Sequence, residues 1–321
     1  MTAGRFVYLL WHRPIGAVKR SIREGGPVEQ WITERGRRMM EQAACQLGAG
    51  NEFGIRNSKI ENKAKSTGLK PLELHMVVGK RFWYMAAFAL ASLLKVLDRG
   101  LVVHFNSDGS LTKEQAEALA RLPIQAKFHS AEEIRARVEK GLPKERFPNL
   151  RERFENYPNI QKMISPHISS RGPKIVLDAD VLFFKRPDEL LAWQEEPKGV
   201  LCAVDCMESY GYPREALEKL AGGKLAREVN VGITGLVSEK IDWETLERWC
   251  AELHASHGTN YYLEQALIAM LAVKSGCLQL EKYRYITYPS EEKMRERAGT
   301  MQHFVDLSKK GYFRELWKEF V

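Results

Sequence analysis

The apolar positions of this chain change rhythm near residue 71. From there on, short apolar and β-branched runs alternate with longer stretches patterned as helices. Residues 72–78 read as a strand, Gly79 as a turn and residues 82–97 as a helix with an Ala-rich apolar face. A second strand over 101–105 runs into Asn106-Ser107-Asp108-Gly109-Ser110, and a helix over 113–122 follows with Thr112 placed to cap it. Residues 124–128 form a third short strand, and residues 131–170 are charged and mostly helical, broken by Pro143, Pro148, Pro158 and Pro166. Further strands are read over 200–204 and 229–237, with helices over about 213–220, 243–254 and 263–274 before a basic C-terminal stretch. Repeated strand-helix units of this kind predict an α/β domain, a largely parallel sheet covered by helices on both faces.

The first 70 residues follow a different pattern. A helix is expected over 28–47, with Trp31, Met39, Met40 and Ala43 among its apolar positions, and residues 48–70 are polar and read as a linker. Residues 1–24 join an apolar start, Phe6 to Trp11, to Arg5, His12, Arg13, Lys19, Arg20 and Arg23. Two roles are open for that segment: contact with an acidic membrane surface, or docking on the main domain through Tyr8, Leu9, Leu10 and Trp11. The expected division is therefore a basic extension and linker over 1–70 and one catalytic domain over 71–321.

The strongest chemical signal is Lys174-Ile175-Val176-Leu177-Asp178-Ala179-Asp180-Val181-Leu182-Phe183-Phe184. Two carboxylates, one residue apart, interrupt an apolar run. In an extended backbone side chains alternate, so both carboxylates face one side and can address one hard cation. A bare pair of this spacing also marks solvated turns. Here the apolar surroundings make an uncompensated carboxylate costly, which points to a cation or basic partner nearby.

Charge and cysteine content change this picture only at the margins. The net charge of +8 sits in the leader: residues 1–70 carry 13 Lys and Arg against 6 Asp and Glu, leaving 36 against 35 elsewhere. With no aromatic RNA-binding motif beside that excess, nucleic acid is not the expected partner. Five cysteines (Cys45, Cys202, Cys206, Cys250, Cys277) form no Cys-x-x-Cys pair, which favours reduced thiols over a disulfide framework. No apolar run approaches the roughly 20 residues needed to cross a bilayer, so the expectation is a cytoplasmic protein, peripheral at most on the inner face of a membrane.

In their order along the chain these features resemble a GT-A nucleotide-sugar glycosyltransferase, in particular relatives of glycosyltransferase family 8. The resemblance spans roughly residues 71–315 and rests on four pieces. They are two early strand-helix units, the Asp178-Ala179-Asp180 strand, Asn230-Val231-Gly232, and Met301-Gln302-His303-Phe304 followed by Lys309 and Lys310. It implies a Rossmann-like mixed, mainly parallel sheet flanked by helices, and transfer of a sugar from a nucleoside diphosphate, by default UDP; the acceptor it does not name, and the basic leader points to a cell-envelope or lipid-linked glycan.

It also implies site residues. Asp178, Asp180 and His303 would ligate a divalent metal, and the histidine nitrogen favours manganese over magnesium. Asp108, Lys162, Asp178, Asn230, Gly232 and either Lys309 or Lys310 would contact the donor. Glu264 and Gln265 resemble the acidic-Gln pair beside the reacting carbon, and Asp205, with Glu208 behind it, is a candidate base on the acceptor side. The Gly and Pro-Trp that the family places around its lysine are absent here, replaced by Asp306-Leu307-Ser308 and Gly311-Tyr312, so the choice of lysine stays open. Two other readings compete. One is a haloacid-dehalogenase-like phosphatase, disfavoured because Leu182 stands where that motif has Thr or Val; the other is a non-catalytic nucleotide- or sugar-binding module. A nucleotidyltransferase would want a fuller Gly-rich loop than Gly79-Lys80-Arg81.

Overall fold

A computed structural model describes residues 25–48 and 68–321. The basic segment 1–24 and most of the expected linker lie outside the described residues. The three expected early strands are β1 (Leu72–Val78), β2 (Leu101–Ser107) and β3 (Gln125–His129), paired parallel with β1 in the middle. They join β4 (Pro173–Leu177), β6 (Val200–Val204), β7 (Val229–Val237) and β8 (Cys277–Gln279) in a seven-stranded sheet of order β3-β2-β1-β4-β7-β6-β8. Only β7 runs against its neighbours. That single reversal allows β7 to bring Asn230 and Gly232 up beside the end of β4.

Alternation along the strands sorts the core into two layers. Leu72, Leu74, Met76, Val103, Phe105, Ile175 and Leu177 point to one face, while Val200, Cys202, Val229 and Leu236 point to the other. The first face is covered by α2 (Trp83–Val96), buried from Trp83 through Leu94 on all sides rather than on one apolar face. Outside α2 lies α1 (Pro27–Ala44), whose Met40 and Ala44 enter the same core. The helix α3 (Lys113–Ala120) starts where expected, at a Thr112 and Gln115 capping box. The second face is covered by α4 (Ala131–Gly141), α5 (Pro148–Asn156), α6 (Gln161–His167), α8 (Arg214–Ala221), α9 (Trp243–His257) and α10 (Leu263–Ser275), α7 (Asp188–Glu195) having packed beside β4.

One expectation changes. The apolar run around Asp178 and Asp180 is not one strand but two, because the backbone bends at Asp178-Ala179-Asp180 and passes to a second sheet. There β5 (Val181–Phe183) pairs antiparallel with β10 (Met301–His303), which pairs parallel with β9 (Tyr285–Thr287). The switch is fixed by Asp178 N–H donating to Gly232 O (2.8 Å) on one side and Phe304 N–H donating to Asp180 O (2.8 Å) on the other. Among the described residues, no helix is long and apolar enough to cross a membrane.

The C-terminal helix α12 (Lys309–Arg314), reached after α11 (Glu291–Arg295), closes against α1. Arg314 reaches back to the Glu29 carboxylate (2.7 Å) and to Thr33 Oγ1 (2.8 Å), and a Cβ added at Gly36 would lie 2.3 Å from Phe313 O. Two backbones meet there with no room for a side chain. Replacing a helical glycine by alanine ordinarily gains about 1 kcal/mol. At Gly36 the overlap with rigid backbone should reverse that sign, with a net loss of roughly 1–3 kcal/mol in urea denaturation. Met39→Ala on the exposed side of the same helix should stay within about 0.5 kcal/mol. An unchanged or raised Gly36→Ala midpoint would show that α1 does not dock through this contact.

Candidate functional site

The bend between β4 and β5 forms the floor of a cleft of about 770 Å³. Asp178 and Asp180 are both mostly buried there, and each has its own lysine. Lys162, from the first turn of α6, places Nζ 2.8 Å and 3.1 Å from the two Asp178 oxygens. Lys309, the first residue of α12, places Nζ 2.9 Å from Asp180 Oδ2. His303 closes the group from β10, with Nε2 3.2 Å from Asp180 Oδ1 and 3.8 Å from Asp178 Oδ2. Burial alone would push the Asp180 carboxyl up, but Lys309 and His303 outweigh it and hold the group well below the usual carboxylate range.

The orientation of His303 follows from its neighbours. Asn230 Nδ2 donates to Asp205 Oδ2 (3.1 Å), and its Oδ1 accepts from Gly232 N–H (2.9 Å), so the amide can stand only one way. His303 Nδ1 lies 3.2 Å from that same Oδ1 and must therefore be the protonated nitrogen. Nε2 is left facing two carboxylates, an arrangement that needs a proton or a cation at Nε2. Two carboxylates and an imidazole whose ligand atoms lie within 4.8 Å of one another suit a divalent metal, so the residues present fit such an ion. Gly232 makes this packing achievable: a Cβ there would lie 2.4 Å from His303 Cε1.

On the opposite wall, α10 carries Glu264 and Gln265 in its first turn, both buried. Burial raises the Glu264 carboxyl to about 8, with Asp178 adding to the rise and Lys162, 3.6 Å away, opposing it. Lys162 sits closer to Asp178 than to Glu264, and the two acids together raise the lysine against its burial. Gln265 Nε2 donates to Ser209 O (2.9 Å) and approaches Asp205 Oδ2 (3.4 Å). Asp205 Oδ1 meanwhile accepts from Cys206 N–H (2.7 Å). With donors on both oxygens, Asp205 acts as a hub that orients Asn230 and Gln265.

Of the residues singled out in the sequence, Lys162, Asp178, Asp180, Asp205, Asn230, Gly232, Glu264, Gln265, His303 and Lys309 line this one cleft. Asp108 and Lys310 do not. Asp108 lies beside Gly79 and accepts from Ser110 N–H (2.8 Å) and Ser110 Oγ (2.7 Å), closing its own turn. Lys310 faces a neighbouring cleft with Arg295 and Arg314, since adjacent residues on a helix point about 100° apart. Residues that sequence reasoning missed form the rim: Tyr157, Met207, Tyr288 and Asp306. They carry no short-range signal, and the exposed Tyr261-Tyr262 pair just before Glu264 joins them at the rim.

No family model matches the chain, and no curated protein matches it in sequence. Solved structures do match in shape. Mouse xyloside xylosyltransferase 1, apo form, is 16% identical over 73% of this chain and 98% of its own length, with a TM-score of 0.50. The galactosyltransferase LgtC, in complex with donor and acceptor sugar analogs, is 13% identical over 77% of this chain and 95% of its own, with a TM-score of 0.51. The apo bifunctional glycosyltransferase WbbM is 11% identical over 74% of this chain and 46% of its own, with a TM-score of 0.50. With its parallel sheet reversed only at β7 and the two acids at the bend after β4, the chain has the GT-A fold seen in these glycosyltransferases.

Proposed function

We propose that this chain is a metal-dependent glycosyltransferase that moves a sugar from a nucleoside diphosphate, UDP-sugar preferred, to a glycan or lipid-linked acceptor. The observation that carries this reading is the convergence of Asp178, Asp180, His303, Lys162 and Lys309 on one cleft floor beside Glu264 and Gln265. Asp178, Asp180 and His303 would hold the ion, with manganese preferred for the mixed oxygen and nitrogen donors. When bound, the ion supplies Lewis-acid neutralisation of the diphosphate.

The remaining work falls to this chain's own side chains. Lys309 is placed to answer charge developing on the leaving oxygen, and of the two adjacent lysines it alone lines the cleft. Lys162 bridges Asp178 and Glu264 and so ties the donor side to the wall that carries Gln265. Glu264, protonated near neutral pH, can donate a hydrogen bond to a sugar hydroxyl where an ionised acid could only accept. Asp205 positions Asn230 and Gln265 rather than serving as a base. The exposed Tyr261, Tyr262 and Tyr288 offer flat apolar faces at the mouth, which supports a sugar as acceptor.

Thermal denaturation with a panel of nucleoside diphosphates, with and without manganese, tests the donor reading. A nucleotide present at 100 times its Kd should add about 2.7 kcal/mol of apparent stability, only when manganese is present, and Asp180→Asn should abolish the gain. Absence of any nucleotide-dependent shift in the wild type sinks the proposal.

The protonation of Glu264 generates a second expectation. Its folded value of about 8 lies above the ordinary 4.5, so between those limits the folded chain holds a proton that the unfolded chain releases. Stability therefore falls as pH rises through that window. Glu264→Gln removes this slope, and the variant should gain on the wild type by on the order of 3 kcal/mol from pH 5 to pH 8. Parallel stability-pH curves for the two proteins would show that Glu264 is ionised in the fold.

A further inference from the structure

A second cluster of metal-ligating side chains lies in the sheet itself, on neighbouring parallel strands. Side chains at Glu73 and His75 of β1, His104 of β2 and Lys127 and His129 of β3 share one face, because His75 pairs with His104 and His104 with Lys127 in register. The imidazoles of His75 and His104 stack with centroids 4.3 Å apart, and those of His104 and His129 with centroids 5.2 Å apart. Glu73 Oε1 is 2.7 Å from His104 Nε2, and His129 Nε2 is 2.9 Å from His104 Nδ1.

His75 makes this more than a stack of packed rings. It is 4% exposed, and neither of its ring nitrogens has a hydrogen-bond partner among the described residues. Buried polar atoms are nearly always paired, so an imidazole with both nitrogens orphaned, next to a carboxylate and a second imidazole, is short of a ligand. One atom from each of Glu73, His75 and His104 lies within 4.8 Å of the other two.

We propose that Glu73, His75 and His104 form a zinc site, with His104 binding through Nε2 and His129 accepting from His104 Nδ1–H to fix that tautomer. Two imidazole nitrogens and one carboxylate oxygen are the donor set that a borderline divalent cation prefers. Tetrahedral zinc holds its ligand atoms about 3.3 Å apart, so the three side chains would draw together by rotation of their own torsions. Glu73 is half exposed near the start of β1 and gives an entry path. The nearby cations do not block it: Lys127, 3.5 Å from His104 Nε2, is on an exposed side chain free to swing outward, and Lys174 Nζ is held by Arg171 O (3.1 Å). This site shares no residue with Asp178, Asp180 and His303 and does not depend on the sugar-transfer reading.

The test uses the full chain carrying Asp178→Asn and Asp180→Asn, which removes the carboxylates of the other candidate centre. Titrated with zinc chloride, this protein should bind one equivalent. Cobalt chloride in its place should produce the intense visible bands of a four-coordinate ion. Adding Glu73→Gln and His104→Gln should weaken zinc binding by roughly tenfold or more and remove those bands. If that variant does not fold, Glu73→Gln alone, on a half-exposed side chain, is judged by the same loss of affinity. No zinc bound by the Asp178→Asn/Asp180→Asn protein, or affinity unchanged by the substitutions at Glu73 and His104, overturns the proposal.

Discussion

Two partly buried carboxylates at the junction of two sheets set the requirement that the rest of the structure meets. Asp178 and Asp180 stand where the chain leaves the large sheet for the small one, and carboxylates so buried call for counter-charge. Lys162, His303 and Lys309 supply it from two parts of the chain that are far apart in sequence. The second sheet is the means: β10 pairs with both β5 and β9, which carries His303 to the carboxylates and starts α12 so that Lys309 follows.

A layer of uncharged contacts stands behind these ions. Asp205 orients Asn230, Asn230 fixes the tautomer of His303, and Gly232 leaves the space that the imidazole fills. The antiparallel course of β7 matters for the same reason, since Asn230 and Gly232 stand at its start, level with the end of β4. On the far wall the outcome is opposite. Glu264 has one lysine to share with Asp178 and is buried, so its carboxyl keeps a proton that Asp180 gives up. Two acids within one cleft thus end in opposite charge states, decided by how many cations each can reach.

The leader shows how little composition says about position. Its helix over Pro27–Ala44 is charged and carries exposed Val28 and Trp31, yet Met40 and Ala44 lie in the main core and Gly36 meets the backbone of α12.

Legibility in the sequence followed the range of the physics. The strands β1, β6 and β7, the helix α2 and the N-cap at Thr112 could be read because each depends on a few adjacent residues, through alternation, helical spacing or a local hydrogen bond. The Asp178 and Asp180 pair was visible because burying two acids in an apolar run has a cost evident from the run itself. What could not be read were β5, β9 and β10, three residues each and too short for any period, and so the bend that separates the two acids into the end of one strand and the start of another. Which of Lys309 and Lys310 enters the cleft, why Asp108 closes its own turn, and the partnering of His75 with Glu73 and His104 were likewise settled only in three dimensions. Each depends on contacts between segments far apart in the chain, and a local pattern carries no information about which distant segment will arrive.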